Sequence, residues 1–334
     1  MKKSHVLFTL LLSFVLVISG CTPFSYLTHV DDDTGTGPTA SDCGSCHILQ
    51  FAEWSLSLHS RSFSNPVFRD QYMDAGDEEC LTCHAPVGIR ANLLQPRPYN
   101  REGGIDCISC HFSAGKMYGP HDSSALFQPH PIEKNDRFYR GNGICSGCHR
   151  ETADEYPDKN DDTVSPGCIT CHAVPVTRTV SQGTGIFTRA LVSFEDRVKT
   201  YSHEISLPVY ALKSSDISVV VEDSGPKSVE LTITVTNRLP HNLPTGTYGE
   251  KKISLRAEFS LAGEVVEELS REIADETKPL LPGAAKTLHF RINQPPGRKT
   301  AVRILLERTG GDDSSRIVAE TADLMFFQIA EKNM

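Results

Sequence analysis

The sequence lacks an excess of positive charge: 33 Lys and Arg face 42 Asp and Glu, which gives a net charge of −9. Proteins that bind nucleic acid normally carry a basic surface, so this balance argues against that class. A long hydrophobic run is also lacking, since the N-terminal run Val6–Ile18 is interrupted by two polar residues and is shorter than the ~20 residues of a membrane-spanning helix. With 39% hydrophobic and 22% charged residues among 334, we expect a globular protein of about two domains.

The N-terminus is typical of an export signal. Lys2 and Lys3 precede the short apolar run, and a basic start with a short apolar core predicts a secretory signal. The run ends in Ser19-Gly20-Cys21, which resembles the bacterial lipoprotein signal, in which the cysteine is lipidated. We therefore expect a lipoprotein signal peptide at 1–20, lipidation at Cys21 and a flexible tether at 21–42. The protein would be lipid-anchored and extracytoplasmic, on the periplasmic side or at the outer membrane of a bacterium; ordinary cleavage that leaves an unpaired thiol is the alternative.

Ten of the 11 cysteines fall into five Cys-x-x-Cys-His units within residues 43–172. Such a unit is the covalent attachment site of haem c, because two thiols react with two vinyl groups and the next imidazole ligates the iron. A zinc site also uses Cys-x-x-Cys pairs, but it needs no histidine after each pair. The sequence therefore predicts five covalently bound haem c groups. Their cysteines are Cys43, Cys46, Cys80, Cys83, Cys107, Cys110, Cys145, Cys148, Cys168 and Cys171.

Each predicted haem iron takes one ligand from its own unit. These proximal histidines are His47, His84, His111, His149 and His172. If every haem has two histidine ligands, five more are needed, and seven histidines follow Cys21 outside the units. The favoured candidates for the distal positions are His59, His121, His130, His203 and His241. His29 and His289 are the other two, and Met73 or Met117 is an alternative ligand.

The local sequence patterns of the candidates differ. Apolar residues recur at helical intervals after His47, and a helix that continued would put His59 about 18 Å further along its axis, so we expect His59 to serve another haem. His121 and His130 lie beside prolines, which fix the direction of a loop. His203 ends a predicted helical stretch, and His241 lies in a turn between strand-like runs, from which a loop of the β-domain could cap a haem.

The spacing of the units suggests a repeat. The Cys80/Cys107 and Cys145/Cys168 sites form matching pairs, whose second members read Asp-Cys-Ile-Ser-Cys-His and Gly-Cys-Ile-Thr-Cys-His. This pattern predicts a repeated two-haem module that follows a single site at Cys43.

The C-terminal region has a different pattern. The runs Ser228–Asn237, Lys252–Phe259 and Ala301–Glu307 favour strands, and Lys286–Ile292 and Ile317–Phe327 are weaker. About seven short strands predict an all-β sandwich of immunoglobulin-like type. The region has no cysteine, which excludes a blue-copper site and a disulfide. The predicted fold class is α+β multidomain, with a short-helix pentahaem cytochrome c domain at 43–212 and the sandwich at 213–334.

Several motifs resemble those of multihaem c-type cytochromes of the cytochrome c-554 type. They are Cys43-x-x-Cys46-His47 with Trp54-Ser55-x-Ser57-x-His59, Cys80-x-x-Cys83-His84-Ala85-Pro86, and Gly103-Gly104-Ile105-Asp106-Cys107. The resemblance implies that His59 is an axial ligand and that close-packed haems pass electrons singly. The fifth unit and the extra domain depart from the four-haem pattern of that family.

We therefore expect a membrane-tethered pentahaem electron carrier in an extracytoplasmic respiratory chain, rather than a catalytic enzyme. Its partners would be redox proteins and the membrane that holds its lipid anchor, not nucleic acid, and its oligomeric state stays open. One alternative is an oxidoreductase that acts on a small nitrogen or sulfur compound at a five-coordinate haem. Another is a subunit of a larger conduit or filament.

Overall fold

The computed structural model describes most of the chain after residue 37. The predicted signal peptide, Cys21 and His29 lie outside the described residues. The described ranges are 38–89, 94–113, 116–122, 130, 132–156, 167–205, 216–223, 228–246, 249–261, 263–293, 299–310, 315–321 and 324–327. They form two compact units: the first comprises residues up to Gly147 and Pro166–Ser206, and the second comprises Cys148–Ser165 and Leu207–Met334.

The helices of the chain are short. They are α1 (Ala40–Gly44), α2 (Ile48–Leu56), α3 (Pro66–Ala75), α4 (Leu81–His84), α5 (Cys107–His111), α6 (Asp136–Arg140), α7 (Gly143–Ser146), α8 (Arg150–Asp154), α9 (Cys168–His172) and α10 (Ile186–Val192). Three further 3-10 turns lie at His59–Arg61, Glu78–Cys80 and Arg101–Gly103. Within the described residues, no helix has both the length and the apolar character needed to cross a membrane.

Two small sheets complete the first unit. Strand β1 (Phe112–Ser113) pairs antiparallel with β2 (Lys116–Gly119), which pairs parallel with β3 (Ile132–Lys134). Strand β4 (Pro175–Arg178) pairs antiparallel with β5 (Val198–Tyr201). Some residues between the third and fifth attachment motifs, and some after the fifth motif, are therefore extended.

The helical expectations for His59 and His203 are wrong. Helix α2 ends at Leu56, because Ser57 is extended and its hydroxyl and backbone N–H both donate to the Trp54 carbonyl. His59 instead begins a 3-10 turn. His203 follows strand β5 rather than a helix, and the neighbouring Ser202 N–H donates to the Val174 carbonyl.

The second unit is a β-sandwich. Its strands are β6 (Ile217–Asp223), β7 (Ser228–Thr236), β8 (Lys251–Leu261), β9 (Glu264–Asp275), β10 (Ala285–Asn293), β11 (Lys299–Gly310), β12 (Ser315–Glu320) and β13 (Leu324–Phe327). One sheet has the order β10-β7-β6; the other has the order β12-β11-β8-β9, with β13 also paired to β11. The expected α+β multidomain fold, with short helices followed by an all-β sandwich, is confirmed.

The core of the sandwich lies between the two sheets. Leu231 and Ile233 of β7, Leu255 of β8 and Ile304 of β11 are fully buried in one apolar cluster. These residues occupy alternate positions, so each strand turns one face inward. Full burial of such a side chain contributes about 1.5–3 kcal/mol to the stability of the fold. The loops that follow β7 are anchored to this core.

The second unit also contains Cys148–Ser165, which the sequence analysis assigned to the haem domain. Helix α8 lies in this segment, directly after His149. The helix is thus grouped with the strands rather than with the other helices that follow attachment motifs.

Candidate haem sites

Short helices carry the attachment motifs. In the third unit, Asp106 is the N-cap of α5: its carboxylate accepts from the Ser109 N–H at 3.1 Å, while the Asp106 N–H donates to the Ser109 hydroxyl at 3.3 Å. This reciprocal capping starts a helix with Asp106 in front of Cys107. Because one helical turn separates Cys107 from Cys110, both thiols face one side and His111 follows them.

Three proximal histidines are oriented in the same way. The Nδ1 atom lies 2.9 Å from the Val180 carbonyl in His47, 2.7 Å from the Ser62 carbonyl in His84, and 2.7 Å from the Tyr118 carbonyl in His111. A carbonyl can only accept, so Nδ1 is the protonated nitrogen of each ring. A metal-ligating histidine usually donates its second ring N–H in this manner. Nε2 of each ring is therefore the nitrogen suited to bind iron.

Aromatic side chains support two of these rings. Phe68 of α3 stacks on His84, with ring centroids 3.8 Å apart and planes 3° from parallel. Tyr139 of α6 stacks on His111 at 5.1 Å, and its hydroxyl donates to the Cys110 carbonyl at 2.8 Å. Burial lowers the pKa of His84, which favours the neutral imidazole that a metal needs.

Two distal candidates lie opposite proximal histidines. The rings of His47 and His130 have centroids 6.3 Å apart, and those of His111 and His203 are 6.1 Å apart. With a metal–imidazole bond of about 2.0 Å and about 1.1 Å from nitrogen to ring centre, two imidazoles on opposite faces of one ion lie about 6 Å apart. Both pairs therefore have the spacing that a bis-histidine haem iron requires.

The first and third attachment units lie close together, because helix α1 contacts helix α5. The nearby Cys43 thiol raises the pKa of Cys107, and Cys107 lowers that of Cys43. A hydrogen bond with Cys145 lowers the pKa of Cys168 to about 7. The helices of the first and third sites are thus in contact, and the N–H and the thiol of Cys168 each lie 3.2 Å from the Asn142 amide oxygen, shortly before Cys145. The repeated two-haem module read from the spacing stays a prediction.

A buried ion pair supports the third site. The Arg97 guanidinium lies 2.7 Å from the Asp106 carboxylate, with side-chain exposures of 0% and 3%. Arg97 also donates to the carbonyls of Tyr99, Asn100 and Gly104 at 3.1, 2.8 and 2.8 Å. Its fork of donors fixes this loop in front of α5. The role of Arg97 is not predicted from the sequence. The Asp-x-x-Ser capping pattern is the signal that marks Asp106, the partner of Arg97.

The loop that carries His241 is bound to α8 within the second unit. The Glu155 carboxylate, just after α8, accepts from the Asn242 N–H at 2.9 Å, the Thr245 hydroxyl at 2.6 Å and the Gly246 N–H at 3.2 Å. His241 Nδ1 lies 2.9 Å from the Asn242 carbonyl, which again leaves Nε2 for a metal. The fourth proximal histidine, His149, caps the start of α8.

The remaining histidines have separate surroundings. The carbonyl of His59 accepts from the Ile105 N–H at 3.1 Å, next to the third site. His121 lies just after β2, and His172 ends α9. His289 projects from strand β10, where its Nδ1 lies 3.0 Å from the Thr232 hydroxyl in an exposed setting.

No disulfide joins the ten motif cysteines within the described part of the chain. Residues 42–112 match the family model of cytochrome c554 and c-prime. The solved structure of a penta-heme cytochrome c552 from Thermochromatium tepidum matches with a TM-score of 0.56 at 16% identity, over 86% of this chain and 99% of that one. The chain therefore resembles multihaem c-type cytochromes in the motifs of residues 42–112 and in its fold.

Other matches to this chain are shorter. A structure described as ApaA from Bordetella pertussis has 17% identity and a TM-score of 0.24, over 35% of this chain and 96% of that chain. Beta-glucuronidase 2 from Bacteroides uniformis has 10% identity and a TM-score of 0.23, over 34% of this chain and 13% of that chain. The comparison with curated protein sequences gave no match. The match over residues 42–112 supports covalent haem c attachment, electron transfer and an extracytoplasmic setting.

Proposed function

We propose that this cytochrome carries five haems and transfers electrons as a lipid-anchored protein of an extracytoplasmic respiratory chain. The observation that carries the proposal is the spacing of two histidine pairs. His47 faces His130 at 6.3 Å and His111 faces His203 at 6.1 Å, the separation of two imidazoles across one iron. A six-coordinate haem has no open position for a substrate, so such sites suit electron transfer.

The protein's own groups prepare these sites before the haem binds. Carbonyls of Val180 and Tyr118 hold the Nδ1 proton of His47 and His111, so the rings keep one tautomer and one orientation. Bound haem iron supplies a one-electron redox couple. Rings that these carbonyls hold in place would rearrange little at each change of oxidation state of a bound iron.

Contacts between the attachment units support a route for electrons. Helix α1 contacts α5, and the Cys168 N–H donates to the Asn142 amide oxygen, shortly before Cys145, so the porphyrins attached to each pair would be neighbours. We infer that electrons exchange directly within the first–third pair and within the fourth–fifth pair.

Three further histidines complete the proposed ligand set. His241 suits the fourth haem, because its loop is bound to the helix that starts beside His149. His59 and His121 are the remaining distal ligands, for the second and fifth haems. Lipidation of Cys21 would hold the carrier at a membrane, and redox proteins would be its partners.

The test uses the full-length, haem-loaded protein. We expect five haems per chain by pyridine haemochrome and protein assay, and a fully low-spin spectrum at low temperature. His130→Ala and His203→Ala should each convert one haem to the high-spin form, while His289→Ala, the matched control on an exposed strand, should change nothing.

Two results would overturn the proposal. A stoichiometry well below five would refute the haem count. A high-spin haem in the unmodified protein that binds carbon monoxide and turns over a small nitrogen or sulfur compound would replace the carrier with an oxidoreductase.

A further inference from the structure

An ion pair lies behind the distal histidine of the third haem. Glu53 is on α2, in the turns that follow His47, and Arg178 ends strand β4. The two Glu53 oxygens accept from the two terminal nitrogens of Arg178 at 2.6 and 2.8 Å. The second oxygen also accepts from the His203 backbone N–H at 2.9 Å. Glu53 therefore fixes the main chain at His203 as well as the arginine.

The Glu53 carboxylate also faces the His203 ring. Its Oε2 atom is 4.0 Å from Nδ1 of His203, and that nitrogen is buried with no hydrogen-bond partner among the described residues. The side-chain exposures of Arg178 and Glu53 are 10% and 23%, so water screens these charges only in part. Nδ1 belongs to the edge of the ring that faces away from a metal on Nε2.

The carboxylate is ionised, because its two oxygens accept from the two terminal nitrogens of the Arg178 guanidinium, and a bidentate pair of this kind forms with a charged carboxylate. A fixed negative charge therefore lies next to the only ring N–H that His203 has when Nε2 binds iron.

We propose that Glu53 is a positioning residue that lowers the reduction potential of the third haem through His203. A carboxylate near the N–H of a ligating imidazole makes the ligand more basic, and groups that contact the axial ligands tune haem potential. A negative charge stabilises the ferric form, which has one more positive charge than the ferrous form. The inference rests on the proposed function, because it requires His203 to ligate the haem attached at Cys107–His111.

Arg178 has the opposite effect on the same haem. Its guanidinium is held on the carboxylate, and positive charge near the iron disfavours the ferric form. Removal of the Glu53 charge leaves the Arg178 cation unpaired and should raise the reduction potential of this haem. Removal of the Arg178 charge leaves the carboxylate unpaired and should lower it. A change of packing alone would not give shifts of opposite sign.

The experiment is a redox titration of the full-length, haem-loaded protein, with the haems resolved by electron paramagnetic resonance. We expect Glu53→Gln to raise one of the midpoint potentials and Arg178→Gln to lower the same one. Glu53→Asp keeps the charge and should give a smaller shift than Glu53→Gln. The matched control is Glu102→Gln, at a surface pair with Arg69 that is 75% exposed at the glutamate; its potentials should equal those of the unmodified protein.

Unchanged potentials in Glu53→Gln, with all haems still low-spin, would overturn the inference. If Glu53→Gln does not assemble, the signs of the Arg178→Gln and Glu53→Asp shifts decide. Failure of the proposed function has a different signature, because His203→Ala would then leave every haem low-spin. If His203→Ala gives one high-spin haem but Glu53→Gln moves no potential, the ligand assignment stands and the tuning role falls.

Discussion

The Arg97–Asp106 pair offers a quantitative test of how the third site is held. Replacement of Arg97 by leucine would leave the Asp106 carboxylate without its cation in a site where the two side chains are 0% and 3% exposed. Removal of one partner of a buried pair costs about 3–5 kcal/mol. The same change removes the donor for the Asn100 and Gly104 carbonyls, at roughly 1–3 kcal/mol for each acceptor that water does not reach.

We therefore expect Arg97→Leu to lower the free energy of unfolding by about 5 kcal/mol, a large part of the ~5–15 kcal/mol that folded domains have. The penalty should be smaller in acid. Burial raises the pKa of Asp106, and loss of Arg97 raises it further. A group whose pKa is raised in the folded state adds stability to the fold below its unfolded-state pKa, and this contribution is lost as the pH rises. Because the pKa of Asp106 is raised further in the variant, the variant should gain stability, relative to the parent, as the pH falls.

The assay can follow this unit alone. Trp54 is the only tryptophan of the sequence, and its Nε1 donates to the Ile105 carbonyl at 2.8 Å, next to Asp106. Bound haem should quench its fluorescence, so recovery of emission in guanidinium chloride reports unfolding here. The control is Arg69→Leu, at the exposed pair with Glu102, where a surface ion pair is worth under about 1 kcal/mol. Equal midpoints for the Arg97 and Arg69 variants would refute the reasoning.

Three further predictions concern other contacts. Gly104→Ala should lower thermal stability, by about 1–3 kcal/mol, because φ is +59° and a Cβ would lie 2.5 Å from the Ser62 hydroxyl; an unchanged melting temperature would count against it. Glu155→Ala removes three hydrogen bonds from the His241 loop and should convert one haem to high spin; a fully low-spin spectrum would contradict this. The Asp275 carboxylate accepts from the Thr277 hydroxyl and N–H and from the Lys278 N–H, and these hydrogen bonds lower its pKa. The stability that Asp275 adds is present above the ordinary aspartate pKa and is lost as the pH falls through the pKa of the folded state. Asp275→Asn should therefore make stability depend less on pH in acid unfolding curves.

The attachment motifs and much of the sandwich could be read from the sequence. A Cys-x-x-Cys-His unit is contiguous, so its chemistry is visible without a fold. Strands β7 and β8 alternate between inward apolar and outward polar residues, and the expected runs Ser228–Asn237 and Lys252–Phe259 lie close to the observed β7 and β8. Strand β9 was not recognised, because it is an edge strand whose side chains are mostly exposed, and adjacent Val265 and Val266 break the alternation.

The partners of the proximal histidines could not be read in this way. His130 and His203 come opposite His47 and His111 only after several turns and strands have folded, and nothing in the local sequence specifies such a distant pairing. Glu53 was equally hidden, because on α2 it reads as an ordinary solvated charge. Its proposed role depends on Arg178, at the end of β4, and on His203, just after β5, and the sequence predicted neither strand.

The contact between α1 and α5 separates the order of the sites along the chain from their order in space. The second attachment unit lies between them in the sequence, yet the helices of the first and third units touch. Loops between the units can therefore lengthen or shorten without changing which redox centres are neighbours, as long as α1 and α5 keep their packing. The conducting order of such a protein is a property of a few helix contacts, and its loop lengths are left to vary.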